Sequence, residues 1–169
     1  MKFGVELCLA ISDAEFDPVA LAVILSTAPR IFFIGNGGSA AIASHMAADF
    51  AKNGNIPTMA FNDAAALTCL SNDIGFHHVF AFPLRQHLTE NDTVIAISSS
   101  GQSQNILGAA YVAQAKGANL ITFTGFDEDN ALRKLGQINV HIASHDYGIV
   151  ETAHLGLLHA TLREIVNAR

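Results

Sequence analysis

The chain has few basic residues, few cysteines and no long apolar run, and each shortage excludes a class of protein. Its 169 residues include nine lysines and arginines against fifteen aspartates and glutamates, which gives a net charge of −6. Because the basic residues are scattered rather than clustered, we do not expect nonspecific binding to nucleic acid. The longest apolar stretch, residues 18–28, is too short to span a bilayer. We therefore expect neither a nucleic-acid nor a membrane partner.

The two cysteines, Cys8 and Cys69, lie far apart and match no metal-binding or redox spacing. We interpret them as reduced core residues of an intracellular protein. The first ten residues are a poor secretory signal, because Glu6 interrupts their apolar run. We therefore expect a cytoplasmic location.

The composition is apolar for a soluble monomer of this size. Half of the residues are apolar, 14% are charged, and the mean hydropathy is +0.33. A surface with so little charge predicts extra burial in a homo-oligomer. The segment from about residue 147 carries apolar residues on nearly every side of a helix, which also predicts burial between subunits. The length fits a single domain over residues 1–169.

Apolar segments of strand length alternate with helical segments along the chain. Strands are predicted at residues 31–35, 57–61, 93–98, 119–124 and 137–142. Helices are predicted at residues 14–27, 39–53 and 103–116, with two short ones within 63–88, a short turn near 130 and a long last helix from about 147. This alternation predicts an α/β fold, a three-layer αβα sandwich with a parallel sheet between helices. In such sheets, ligands bind beyond the carboxyl ends of the strands.

Two turns of small residues leave the sheet at that edge. The first is Gly35-Asn36-Gly37-Gly38-Ser39, and the second is Ser98-Ser99-Ser100-Gly101-Gln102-Ser103. Glycine lets the backbone approach a ligand, and the free N–H groups of a helix start favour a phosphate. An ordinary turn capped by Ser103 is the alternative, but four serines in six residues favour phosphate.

The same two turns argue against a nucleotide. The first turn lacks the Gly-x-Gly-x-x-Gly spacing, and no acidic residue closes the second strand. Neither turn contains lysine or arginine, so backbone N–H groups and hydroxyls would hold the anion. That arrangement suits a monophosphate better than a triphosphate.

His45 and Asp49 lie four residues apart on the helix after the first turn. They share a face, so they could bind one metal ion or act as an acid–base pair, and an ordinary surface pair is equally compatible. Glu151 and His159 lie eight residues apart, about 12 Å of helical rise. They meet in one small site only near a frayed helix start or if two subunits contribute separately.

Four other polar residues have simpler interpretations. Asp73 follows Asn72 in a turn-like segment, where it could bind a sugar hydroxyl or cap the turn. His141, His145 and His154 are interpreted as core or interface histidines rather than ligands.

Four segments together resemble the sugar isomerase (SIS) domain family, and within it the bacterial phosphoheptose isomerases that act on sedoheptulose 7-phosphate. These segments are Gly35–Ala40, Asn72–Phe76, Ile97–Ser103 and Val150–His159. The resemblance implies a Rossmann-like, five-stranded parallel sheet flanked by helices. It also implies a tetramer with active sites between subunits, and an aldose–ketose isomerase working through an enediol to supply a polysaccharide precursor.

The resemblance implies roles for particular residues. Asp49 and His159 fall on the proposed proton-transfer positions. The metal-site positions, which imply a divalent ion such as zinc, are His45, Asp49, Glu151 and His159. The positions expected to contact the substrate or its phosphate are Asn36, Gly37, Gly38, Ser39, Asp73, Ser98, Ser99, Ser100, Ser103 and Glu151.

This sequence departs from the family pattern at three places. Asp49 replaces the usual glutamate, Glu151 replaces the usual glutamine, and Asn53 stands where an arginine is usual. Two carboxylates with two histidines would favour a divalent cation more strongly. The alternative function is a noncatalytic SIS module, such as a replication-initiator-binding protein or a sugar-phosphate sensor, because the phosphate turn serves binding equally well.

Overall fold

The computed structural model describes residues 2–169, and within them five parallel strands form one sheet. The strands are β1 (Ile31–Gly35), β2 (Thr58–Ala60), β3 (Thr93–Ser98), β4 (Asn119–Gly125) and β5 (Ile138–Ile142), in the spatial order β2-β1-β3-β4-β5. Every residue of β1 and β3 is buried, as expected for apolar strands covered on both faces. The five predicted strands are confirmed, although β2 is shorter than expected.

Helices cover both faces of the sheet. They are α1 (Lys2–Ser12), α2 (Pro18–Ser26), α3 (Gly38–Lys52), α4 (Ala64–Ile74), α5 (Ala81–His87), α6 (Gln104–Ala115) and α7 (Tyr147–Asn167), with a 3₁₀ turn at Phe76–His78. One core cluster joins α2, α3 and α7 to one face, through residues such as Phe33 and Ile95. The other joins α5 and α6 to the opposite face, through Phe32 and Val94. The three-layer αβα sandwich is therefore confirmed.

The interpretation of the two cysteines as core residues is wrong. Both Cys8 and Cys69 are exposed, because they lie on α1 and α4, in which none of the residues is fully buried. These helices lie outside the packed layers and touch the core only through partly buried side chains such as Leu7 and Leu67. The helix α1 itself was not predicted.

Much of the apolar surface of α7 is buried within its own chain. Nine of its residues are buried, and it contacts α1, α2, α3 and the sheet of its own chain. Its apolar sequence therefore does not require a neighbouring subunit. A solvent-facing stripe remains at Thr152, Gly156, His159 and Arg163. None of the helices in residues 2–169 combines the length and apolar character needed to cross a bilayer.

An ion pair between the half-exposed Arg30 and the buried Asp92 joins the starts of β1 and β3 at the amino-terminal edge of the sheet. The Arg30 guanidinium donates to both carboxylate oxygens of Asp92, at 3.0 and 2.7 Å, and Thr89 donates to Asp92 through its N–H and its hydroxyl. Burial alone would raise the pKa of the Asp92 carboxyl, but Arg30 and Thr89 outweigh it and hold that pKa below its ordinary value.

Candidate active site

The central strands β1 and β3 are neighbours, and the chain leaves them in opposite directions. From β1 it passes through α3 on one face to β2, and from β3 it passes through α6 on the other face to β4. Such a reversal opens a crevice beyond the carboxyl ends of the two strands. The two small-residue turns lie there, as predicted.

A cavity of about 220 Å³ fills this crevice. Its lining consists of Asn36, Gly37, Gly38, Ser39, Ile97, Ser98, Ser99, Ser100, Ser103, Tyr147 and Glu151. The structure therefore brings together all the residues expected to contact the substrate except Asp73. Tyr147 was not predicted as a site residue, although it begins the helix that carries Glu151. None of the described lining residues is a lysine or an arginine.

Glycine is required at particular points around this cavity. Gly37 and Gly101 have φ angles of +55° and +62°, which other residues rarely adopt. At Gly101 a β-carbon would also overlap the side-chain amide of the buried Asn130. The backbone can therefore approach a bound ligand closely only because these glycines lack side chains.

Two helix N-termini at the cavity have no N-cap side-chain bond. Side chains of Asp17, Asp63 and Asp146 cap α2, α4 and α7, whereas within residues 2–169 no N-cap side chain bonds to the start of α3 or α6. Gly38 and Ser39 of α3 and Ser103, the N-cap residue of α6, line the cavity. Ser103 occupies the predicted N-cap position, yet its hydroxyl makes no capping bond and lies 3.5 Å from the Ser98 hydroxyl.

The hydroxyl of Ser99 adds a further donor. It is buried, and nothing in the described chain pairs with its oxygen. The N-termini of α3 and α6, which carry the positive ends of the helix dipoles, and the surrounding serines make this cavity suited to an anion.

Glu151 brings a negative charge to the same cavity. Its carboxylate lies against Gly38, at the start of α3, rather than beside His159 on its own helix. Eight residues of α7 separate the two side chains, about 12 Å of rise. Within one chain the structure therefore places Glu151 at the anion cavity and not among the other predicted metal ligands.

His45, Asp49 and His159 form a second cluster, farther along α3 and α7. The Asp49 carboxylate oxygen lies 3.5 Å from His45 Nε2 and 3.9 Å from His159 Nδ1, and the two Nε2 atoms are 3.3 Å apart. One ligand atom from each residue falls within 4.8 Å of the others. The pair of residues predicted on α3 is therefore not an isolated surface pair, since α7 adds His159.

The chemistry of these three donors fits zinc. Two imidazole nitrogens and one carboxylate, with an open position, are the ligand set of many catalytic zinc sites. All three side chains are partly exposed, so a substrate oxygen can reach the fourth position. Gly38 and His45 are separated by seven residues of α3, about 10 Å, so the cluster and the cavity of one chain lie that far apart along the helix.

The remaining predicted residues lie elsewhere. Asp73 is exposed on α4, where it accepts hydrogen bonds from Asn72 and, at 3.5 Å, from the Cys69 thiol. It neither lines the cavity nor caps a turn. The hydrogen bond to Asp73, together with its charge, raises the pKa of that thiol.

The three late histidines have different surroundings. His154 is fully buried, and its Nε2 donates to the Thr124 carbonyl at 3.0 Å, so the core interpretation is confirmed for it. Burial lowers its pKa from 6.5 to about 4, although the bond to Thr124 opposes this. His141 is partly buried beside the Thr124 hydroxyl. His145 is exposed, so the core interpretation is wrong for it in this chain.

Comparisons with known proteins identify the class. A family model described as the SIS domain matches residues 18–125, well over half of the chain. The chain therefore belongs to the SIS domain family.

Within that family, the chain is similar to bacterial phosphoheptose isomerases. That of Solidesulfovibrio magneticus is 35% identical over 152 residues, covering 86% of this chain and 71% of the relative. That of Serratia proteamaculans is 30% identical over 166 residues, covering 90% and 84%. The solved structure of phosphoheptose isomerase GmhA from Neisseria gonorrhoeae superimposes with a TM-score of 0.86 at 29% identity, covering 95% of this chain and 94% of that one.

Proposed function

We propose that this protein is an aldose–ketose isomerase for a phosphorylated sugar, converting sedoheptulose 7-phosphate to a heptose 7-phosphate. The observation that carries the proposal is the cavity between β1 and β3, whose described lining contains four serines and the N-termini of α3 and α6 but no basic side chain. The phosphoheptose isomerases among its relatives support the same substrate class.

The phosphate end of the substrate binds at the serine turn. Ser98, Ser99, Ser100 and Ser103 offer hydroxyls, and the first turn of α6 offers backbone N–H groups with the positive end of the helix dipole. Asn36 and Ser39, across the cavity, are positioned to contact the sugar chain. This binding mode fixes one end of the substrate and leaves the carbonyl end to be aligned by the rest of the site.

Moving a carbonyl from C2 to C1 requires a base that takes the proton from C1 and an acid that returns a proton to C2. Asp49 and His159 are assigned to these transfers. His159 Nδ1 and the Asp49 carboxylate oxygen are 3.9 Å apart, which is too long for a direct hydrogen bond but close enough for one water to connect them. The same proximity counts against the noncatalytic alternative, for which His45 and Asp49 would form a bare helical surface.

A divalent metal, zinc by its ligand set, would be held by His45, Asp49 and His159. Bound there, it would supply a Lewis acid for the substrate carbonyl oxygen. Asp49, although shorter than the family's usual glutamate, brings its carboxylate to this cluster. These three residues also orient one another, because each lies within 4 Å of the other two.

The proposal also includes assembly of the chain into a homo-oligomer. Glu151 reaches a metal cluster only if a second copy supplies it, since it lies about 12 Å along α7 from His159 of its own chain. This supports a homo-oligomer with sites shared between subunits. The tetramer, the cytoplasmic location and a role in polysaccharide precursor synthesis stay predictions.

NMR of the purified protein with Zn²⁺ and sedoheptulose 7-phosphate tests the proposal. We expect aldose signals to appear, and deuterium from ²H₂O to enter the substrate carbon that is protonated. Asp49→Asn should abolish both, whereas Asp13→Asn, at an exposed aspartate outside the cavity and the cluster, should retain both. Absence of conversion across several ketose phosphates would overturn the proposal.

A further inference from the structure

We propose that Asn105 is a positioning residue that fixes the side-chain amide of Asn36 at the sugar end of the cavity. Asn105 lies in the first turn of α6, and Asn36 lies in the turn after β1. The expected effect of Asn105 on catalysis rests on the function proposed above, whereas its effect on the Asn36 amide is independent of that function.

The two side chains form a reciprocal pair of hydrogen bonds. Asn36 Nδ2 donates to Asn105 Oδ1 at 2.9 Å, and Asn105 Nδ2 donates to Asn36 Oδ1 at 2.9 Å. The residues are 69 positions apart in the chain. In the part of the chain that the structure describes, no other side-chain hydrogen bond joins the first small-residue turn to the second turn or the start of α6.

A backbone hydrogen bond fixes the positions of the oxygen and nitrogen in the two side-chain amides. The N–H of Ile106 donates to Asn105 Oδ1 at 3.0 Å, so that atom must be the oxygen. The Asn105 nitrogen therefore faces Asn36 Oδ1, and the Asn36 nitrogen must face Asn105 Oδ1. A single backbone N–H of α6 thus sets the orientation of an amide on the other turn.

Asn36 keeps binding capacity after these bonds are made. A primary amide has two N–H donors and an oxygen with two lone pairs, so Asn36 retains one N–H and one lone pair for a ligand. Asn36 lines the cavity, whereas Asn105 does not and is only 3% exposed. Asn105 therefore acts through Asn36, by presenting a fixed donor and a fixed acceptor to the hydroxyls of a sugar.

A double-mutant cycle tests this assignment. Asn105→Leu keeps the volume of the side chain but removes both bonds to Asn36, and we expect KM for sedoheptulose 7-phosphate to rise about tenfold, the effect of one or two lost hydrogen bonds. We expect kcat to stay within about twofold, as for a contact made equally in ground and transition states. In the Asn36→Ala background, Asn105→Leu should change KM no further.

Inorganic phosphate separates positioning from a collapse of the turn. Inhibition by orthophosphate should be unchanged in Asn105→Leu, because the serine hydroxyls and the N–H groups of α6 remain. The matched control is Asn139→Leu, which removes another amide with two hydrogen bonds, on β5 and outside the cavity, and should leave KM unaltered. Parallel losses of phosphate and sugar-phosphate affinity, or a full additional loss in the Asn36→Ala background, would overturn the proposal.

A second measurement needs no turnover. In the ¹⁵N-labelled protein, the side-chain NH₂ signals of Asn36 are the pair that disappears in Asn36→Ala. In the wild type, the two proton shifts of this pair should be well separated and the protons should exchange slowly with solvent. In Asn105→Leu, the two shifts should be averaged. An unchanged pair in Asn105→Leu would contradict the assignment even if the wild type converted no sugar. Absence of wild-type turnover with the expected NMR change would reject the proposed reaction and leave the amide pair established.

Discussion

Ser99→Ala should stabilise the free protein while weakening its binding of phosphate esters. The Ser99 hydroxyl is buried, and no atom within residues 2–169 pairs with it. Leaving such a group unsatisfied costs about 1–3 kcal/mol, and alanine removes the oxygen with little change in volume. After allowance for lost packing contacts, the free energy of unfolding should rise by about 1 kcal/mol.

The binding effect should have the opposite sign. A hydrogen bond to a charged group contributes about 1.5–3 kcal/mol, so its removal should weaken phosphate-ester binding roughly 10- to 100-fold. A residue that only shapes the turn would not give a gain in stability together with a loss of affinity. A gain in stability together with a loss of phosphate-ester affinity would therefore identify Ser99 as a phosphate ligand.

Urea unfolding and inhibition by orthophosphate measure the two effects. Thr93→Val is the matched control, because the Thr93 hydroxyl is also buried without a described partner but lies at the opposite end of β3. This control should be stabilised to a similar extent and bind phosphate as the wild type does. If Ser99→Ala were destabilised, or bound phosphate unchanged, the reasoning from the unpaired hydroxyl would be refuted.

Three further predictions concern other parts of the chain. Since burial holds the pKa of His154 at about 4 rather than 6.5, protonation favours the unfolded chain, and this group should remove about 2 kcal/mol of stability between pH 6.5 and pH 5. Urea titrations should show a smaller loss in His154→Gln and the full loss in His145→Gln, and equal losses would contradict this. Asp49→Asn should lower kcat by at least about 100-fold in the NMR assay without changing the circular dichroism spectrum, and a smaller loss would remove Asp49 from proton transfer. Arg30→Met should lower the free energy of unfolding by about 3 kcal/mol, because Asp92 stays buried without its cation, and a change below 1 kcal/mol would argue that Thr89 alone satisfies it.

The sheet could be predicted from the sequence because its strands are short apolar runs between clear turn residues. β1 and β3 begin and end at the predicted residues, and α6 ends at Ala115, one residue before the predicted end at 116. The helix α1 could not be predicted this way. Its first turn contains no acidic residue and its last turn no basic residue, so no charge signal marks its ends.

The candidate site could also be predicted only in part from the sequence. The cavity-lining serines and glycines were predictable, because neighbouring parallel strands must deliver their turns to one edge. The joining of His159 to His45 and Asp49 depended on how α3 and α7 lie side by side, which the spacing within each helix cannot reveal. Asn105 was missed because its partner is remote in sequence, although its place two residues after Ser103 at a helix start was a usable signal.

The pairing of β1 with β3 has a consequence for how this protein folds. Ile31 pairs with Thr93, and the neighbouring Arg30–Asp92 bond joins residues 62 positions apart, so the intervening loop must close before the crevice exists. Closing a loop of this length carries an entropic cost that local helix formation avoids, which places the step late and makes it slow. A partly synthesised chain that ends before β3 would not bind phosphate. Phosphate binding would therefore indicate that β1 and β3 have paired.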